Sequence, residues 1–238
     1  MDRGIWATWY DLPEPGKEEY ISWLHDVYIP EALSRPGYLW ATHVENVLTE
    51  DRERDIRSRL IHTDDPSVPG GNGFIMLFGA ASPHTFVNPN PAELEARMTS
   101  HAREMLGRRV ASRSCIFVEV ARVDGPEVDT RAPGITPGPV IQLGSFNINA
   151  LENEDELSTW YARSRLPKMA EMPGCVGARE LASISGWAKH GILYEFVSLE
   201  AVEQYFTGDT ADWTRRVVGN LIHAPGSPSL GKRIWPYA

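Results

Sequence analysis

The chain has 238 residues, a net charge of −9, 42% hydrophobic residues and 23% charged residues. That is apolar mass for one large domain or two small ones, while an acidic chain with no Lys/Arg stripe is a poor partner for nucleic acid. No apolar run reaches membrane-spanning length and no secretory pattern opens the chain. Cys115 and Cys175 therefore read as reduced thiols, and a cytoplasmic protein with no membrane partner is expected.

The first strand signal is the β-rich run Ile5 to Tyr10. A helix is predicted over about 16–34, where Tyr20, Trp23, Leu24 and Val27 recur at helical spacing, and Pro36-Gly37 ends it. Strands follow at about 38–48 and 74–78, then a helix at about 91–107 and a strand at 114–120. The segment 50–72, charged and then turn-rich, is predicted to be a long inserted loop. A proline- and glycine-rich linker spans 124–139. The same order then returns: strand 141–146, helix 153–171 stopped by Pro173-Gly174, strands 175–184 and 192–196, helix 199–219, and a last strand within 220–235.

The recurrence is an internal repeat. Trp23 aligns with Trp160, a spacing of 137 residues that also pairs Pro30 with Pro167, Pro36 with Pro173, Gly37 with Gly174 and Ala41 with Ala178. Pairing Phe74 with Ile192 leaves 19 extra residues in the first copy. Each copy reads β-α-β-β-α-β, the ferredoxin-like order. A lone unit leaves one sheet face bare, so an α+β protein is expected, with two tandem units (1–123 and 140–238) packed sheet to sheet as an intramolecular α/β-barrel.

The helix sequence from Trp23 through His25, Tyr28, Pro30 and Leu33 to Pro36-Gly37-Tyr38 resembles the helix signature of the dimeric α/β-barrel superfamily, in particular its EthD-like branch. Trp160-Tyr161 through Arg165, Pro167 and Pro173-Gly174 fits the same signature. Where that pattern carries histidine, this chain has Tyr28 and Arg165, so no role of that histidine carries over. The resemblance implies a cofactor-independent enzyme of lyase, decarboxylase or isomerase type, acting by acid–base chemistry on a small aromatic carboxylate or carbonyl compound. The alternatives are a cofactor-free monooxygenase of the same barrel family and a non-catalytic ligand-binding or stress module. A homodimer is the remaining partnership it suggests. Duplicated chains of this kind also include haem proteins such as chlorite dismutases, and a haem here would need His190 or His223 as axial ligand.

Within this frame His25, Tyr28 and His43 are the catalytic candidates. His25 and Tyr28 lie three apart on one helix and so share a side; imidazole exchanges protons near neutrality and a phenol can donate to an oxyanion. His25 equally suits an exposed helix face, and His43, alternating with Ala41, equally suits a satisfied core position. Trp6, Trp9 and Trp40 crowd the first two strands and favour a flat apolar ligand, placing the principal pocket between the first sheet and its first helix. Arg165 could hold a substrate carboxylate. No Cys-x-x-Cys or His-Glu-x-x-His spacing occurs, so neither metal nor organic cofactor is expected.

Overall fold

Alternation along the first strand, β1 (Gly4–Asp11), divides its side chains between two cores. Ile5, Ala7 and Trp9 pack into one core, while Tyr10 and Trp6 pack into another. The computed structural model describes residues 2–131, 137–206 and 211–237.

In the first half β2 (Tyr38–Asn46) pairs with β4 (Phe74–Ala80), β4 with β1, and β1 with β5 (Val110–Asp124), all antiparallel. The second half repeats this with β7 (Cys175–Ser185), β8 (His190–Phe196) and β6 (Val140–Ile148). The halves also join edge to edge. β5 pairs with β7, and β10 (Ser229–Trp235) bridges β6 and β2, closing eight antiparallel strands into one barrel. Closure leaves these strands no free edge, and an eight-stranded barrel is just wide enough for side chains to fill. Its interior holds Ile5, Ala7, Trp9, Trp40 and Val44 from one half with Ile141, Leu143, Leu181 and Leu193 from the other. A helical layer covers each half outside.

Four expectations are corrected by strand register and element boundaries. His43 pairs with Met76 as Glu180 pairs with Ile192, so Met76, not Phe74, is the equivalent of Ile192. The last strand of the second half is in two pieces, β9 (Leu221–His223) and β10, because Pro225 and Pro228 interrupt the ladder between them. The 50–72 segment is not a plain loop. It opens with α3 (Glu50–Arg59), capped by the Thr49 hydroxyl accepting from the Arg52 N–H, and continues into β3 (Ile61–His62), which pairs in parallel with β9. The hydroxyl cap and the run of charged helix formers override the low hydrophobicity. Of the 124–139 linker, 132–136 lie outside the described residues; Gly125 and Glu127 donate backbone N–H bonds to Val176 and Cys175, tying its start to β7. The predicted helix 91–107 is two, α4 (Pro91–Arg97) and α5 (Ser100–Leu106), the second capped by Thr99.

The first helix of each half shares one irregularity. α1 (Lys17–Trp23) passes through a π-turn (Leu24–Tyr28) into α2 (Ile29–Leu33); α6 (Glu154–Trp160) passes through a π-turn (Tyr161–Arg165) into α7 (Leu166–Glu171). The Ile29 N–H donates to the Leu24 carbonyl, and the Leu166 N–H to that of Tyr161. Pro30 and Pro167 follow directly; each lacks an N–H and would collide with a carbonyl in a regular helix. One i→i+5 turn relieves that conflict, and such turns recur at functional sites. Gly37 and Gly174 end the two helical segments at φ 88° and 78°, where a side chain would be strained. The second helical layer of the second half is formed by α8 (Leu199–Tyr205) and α9 (Asp212–Gly219); the predicted helix 199–219 includes 207–210, outside the described residues. Among the described residues no helix is long and apolar enough to cross a membrane.

Candidate functional site

Two of the three catalytic candidates meet. His25, on the first π-turn, and His43, on β2, are both buried between sheet and helix, and His25 Nε2 lies 2.8 Å from His43 Nδ1. His43 Nε2 is in turn 2.8 Å from the Tyr10 hydroxyl. The row His25–His43–Tyr10 is thus one hydrogen-bonded chain. It ends against the Arg109 guanidinium, 4.3 Å from the centre of the Tyr10 ring, which also donates from Nε to the Tyr20 hydroxyl at 2.6 Å.

Burial sets the charge of this row. Desolvation lowers the pKa of His25, and it lowers that of His43 further, with His25 and Arg109 adding to the effect. Burial likewise raises the Tyr10 phenol well above its ordinary value. All three are neutral at physiological pH, so the chain has two proton arrangements. In one, Tyr10 donates to His43, His43 to His25, and His25 Nδ1 carries a proton. In the other every bond is reversed and His25 Nδ1 is a bare lone pair. That atom is buried and has no hydrogen-bond partner among the described residues, an uncommon state for an imidazole nitrogen in a packed core. The rings nearest to His25 besides His43 are Trp235, at 6.5 Å, and Tyr237, at 6.2 Å, of the C-terminal segment.

Tyr28 is also buried but stands apart, with its ring against Trp23 and Phe78 and no hydrogen bond to either histidine. The π-turn explains this. It advances each residue by less than a regular helical step, so residues three apart no longer lie one above the other. Burial raises the Tyr28 phenol too.

The tryptophans part company across the sheet. Trp6 faces the helical layer, its ring tilted against those of Phe78 and Phe86, with its N–H donating to the Ser114 hydroxyl at 2.6 Å. Trp9 and Trp40 are inside the barrel, on the other face of their strands. The principal pocket expected between the first sheet and helix is, as the structure has it, filled by Tyr20, Leu24, Ile29, Met76 and Phe86. The sizeable cavity, about 340 Å³, opens instead at one end of the barrel, where residues of both halves and of the 50–72 segment meet. Alternation alone leaves open which face of a strand is the interior.

In the second half Arg165 donates from Nε to the Tyr194 hydroxyl at 2.7 Å and lies 4.6 Å from the ring centres of Tyr194 and Phe206. Glu180 stands where His43 stands in the first half, and burial pushes its carboxyl up to about 7. Between about pH 4.5 and 7 the folded chain therefore holds a proton that the unfolded chain has lost, and stability falls as pH rises through that window. Glu180→Gln is expected to remove the decline: equal to the parent at pH 4.5, and more stable by about 1 kcal/mol at pH 8, a value reduced for the side chain's partial exposure. Urea unfolding at the two pH values measures it.

Neither histidine suggested as a haem ligand is disposed to serve. His190 Nε2 is 3.0 Å from the Glu154 carboxylate with its ring stacked on Phe146, and His223 Nδ1 is 3.3 Å from the Ile61 carbonyl, wedged against His62 and Phe146. Neither lines the 340 Å³ cavity. Among the described residues, no three His, Cys, Asp or Glu side chains are grouped to hold a metal ion.

No protein-family model matches the chain, and no curated protein matches it. Solved structures do. An anthrone oxidase-like protein superposes with a TM-score of 0.61 at 12% identity, over 98% of this chain and 91% of its own. A Fusobacterium nucleatum protein provisionally described as a monooxygenase gives 0.56 at 8% identity, over 98% and 93%. A protein provisionally described as a chlorite dismutase gives 0.52 at 11%, over 98% and 95%. At these identities the likeness is one of architecture: the chain has the fold of the dimeric α/β-barrel proteins, with all eight barrel strands in one polypeptide.

Proposed function

We propose that the chain is an enzyme that moves protons on a small aromatic carbonyl or carboxylate compound, with His25 as base and His43 and Tyr10 as its relay. The observation that carries this reading is the partnerless His25 Nδ1 at the head of a buried chain of three exchangeable groups. When Nδ1 takes a proton from an acidified C–H, the Nε2 proton moves to His43 Nδ1, so the two rings carry one shared positive charge whose counter-ion is the substrate's carbanion, and the Tyr10 oxygen accepts from His43 Nε2–H. Return of the proton to the product restores both rings to neutrality. Substrate reaches Nδ1 from the side of Trp235 and Tyr237, the latter 77% exposed at the chain's end. Trp6 and Tyr28 form part of the apolar layer around the relay, and Arg165 belongs to the second half's own site. The reading asks only for groups the chain supplies. The parallel π-turns support an origin by tandem duplication with halves at 1–123 and 140–238, and the barrel closes without a second subunit.

The same carbanion serves two outcomes. Protonated at another atom it gives isomerase chemistry, and expelling a leaving group it gives lyase chemistry; formed instead by loss of carbon dioxide from a carboxylate and then protonated by His25, it gives decarboxylase chemistry; handed to dioxygen, it gives a cofactor-free oxygenase, the reading favoured by the likeness to an anthrone oxidase-like protein. The test is to incubate the protein with anthrone and a set of aryl ketones in D₂O, following deuterium entry at the acidic carbon and oxygen uptake together. Exchange without uptake supports the first outcome and exchange with uptake the second. Neither, on any probe, leaves a binding protein.

A further inference from the structure

The cavity at the barrel end contains an arginine that makes no ion pair among the described residues, Asp11 acting on it only from a distance. Arg113 on β5 lines it, 92% buried at 8% exposure, with its guanidinium 4.6 Å from the centre of the Trp9 ring. Its Nη1 donates to the Gly71 carbonyl at 2.7 Å, while Nε and Nη2 are buried with no partner among the described residues. These two N–H groups form one edge of the guanidinium, the edge that matches both oxygens of a carboxylate. Among the described residues no acidic side chain lines the cavity. A second orphan stands on the facing strand: Ser145 on β6 is 1% exposed, lines the cavity, and its hydroxyl has no partner. Leaving a buried charge and a buried hydroxyl unpaired is costly, and native structures rarely do so at one place without a use.

The remaining walls are apolar or nearly so: Val68 and Pro69 from the 50–72 segment, Trp187 and Ala188 from the β7–β8 turn, and Ala224. The volume of about 340 Å³ is at the small end of ligand pockets, which begin near roughly 300 Å³. We propose that this cavity binds a small organic monocarboxylate with a compact apolar body. Its carboxylate takes the two free Arg113 N–H groups and the Ser145 hydroxyl, with its body against Val68 and Trp187. The site lies on the inner face of the barrel wall, opposite the face that carries His43 and Tyr10. It shares no residue with the relay.

The test uses the full chain with 1-naphthoate, benzoate and phenylacetate, and with uncharged 1-naphthamide, by calorimetry. At least one carboxylate is expected to bind one to one, with naphthamide at least tenfold weaker than naphthoate. Arg113→Met should erase that preference and Ser145→Ala should weaken carboxylate binding several-fold. Cys115, which also lines the cavity, supplies a local reading: bound carboxylate should slow its alkylation by iodoacetamide, while Cys175, buried in the second half's helical core, should be unaffected. His25→Ala should bind as the parent does, which separates this site from the relay. The proposal is overturned by equal affinity for naphthoate and naphthamide, by binding unchanged in Arg113→Met, or by no binding of any carboxylate at millimolar concentration. Should Arg113→Met not fold, Ser145→Ala and Cys115 protection decide alone.

Discussion

His25→Ala is expected to lower turnover by roughly two to four orders of magnitude, the usual worth of a positioned general base. His43→Ala should cost nearly as much, because without it the proton taken by His25 stays on a buried ring. Tyr10→Phe, which keeps the ring but removes the oxygen that accepts from His43 Nε2–H, should lose about tenfold. Since the three act in series, His25→Ala with His43→Ala should be little worse than either alone. The pH profile carries a separate signature. Both imidazoles are held below their ordinary pKa by burial, so activity should fall only on acidification below about 6.5 and stay level above it. Stability moves less: His25→Ala leaves His43 Nδ1 without its partner, a loss of about 1–3 kcal/mol. The measurement is deuterium exchange on a responsive aryl ketone beside urea unfolding for each variant. Exchange at parental rate in His25→Ala would mean that the row is a satisfied core network and nothing more.

The architecture was legible because its signals are local and doubled. Trp, Pro and Pro-Gly recur at one spacing, and the helix stops they announce are where Gly37 and Gly174 take positive φ. The site was legible in part. His25 and His43 stood out as ionisable groups among apolar neighbours, but their contact depends on a π-turn that follows from Pro30 only in three dimensions. The same turn separates Tyr28 from His25. Tyr10 was visible as one aromatic among several; its place at the end of the row requires knowing that even positions of β1 face the helices. Arg113 gave no signal. One arginine in a strand is ordinary until barrel closure sets it beside Ser145, far away in sequence, with no acid between them.

Closure has a charged counterpart at the opposite end of the barrel, and it yields the largest stability effect expected here. Arg179 on β7 is 1% exposed; its Nε lies 3.2 Å from Glu195 Oε1 and its Nη1 2.8 Å from Asp2 Oδ2. Trp40 donates its N–H to the same Asp2 oxygen at 2.7 Å, Arg122 reaches the other at 2.8 Å, and Arg131 holds Glu195 at 3.0 Å. The cluster ties β2, β7 and β8 to the segment preceding β1, across both halves. Removing Arg179 leaves Glu195 with Arg131 alone and Asp2 with Arg122 alone, and the buried cluster one cation short, so Arg179→Met is expected to cost about 3 kcal/mol. Adding Glu195→Gln should recover part of that loss, since the cluster then has one carboxylate fewer to balance. Burial alone would raise the Asp2 carboxyl, but Arg179 and Arg122 hold it well below the usual carboxylate range. The stability this represents is present above the unfolded value near 3.8 and disappears as pH falls toward the folded one. The gap between parent and Arg179→Met should therefore narrow on acidification below about pH 4. Urea unfolding at pH 7 and pH 3 reads both effects, and a gap that stays constant would mean that Arg179 acts by filling space beside Trp40 instead of by its charge.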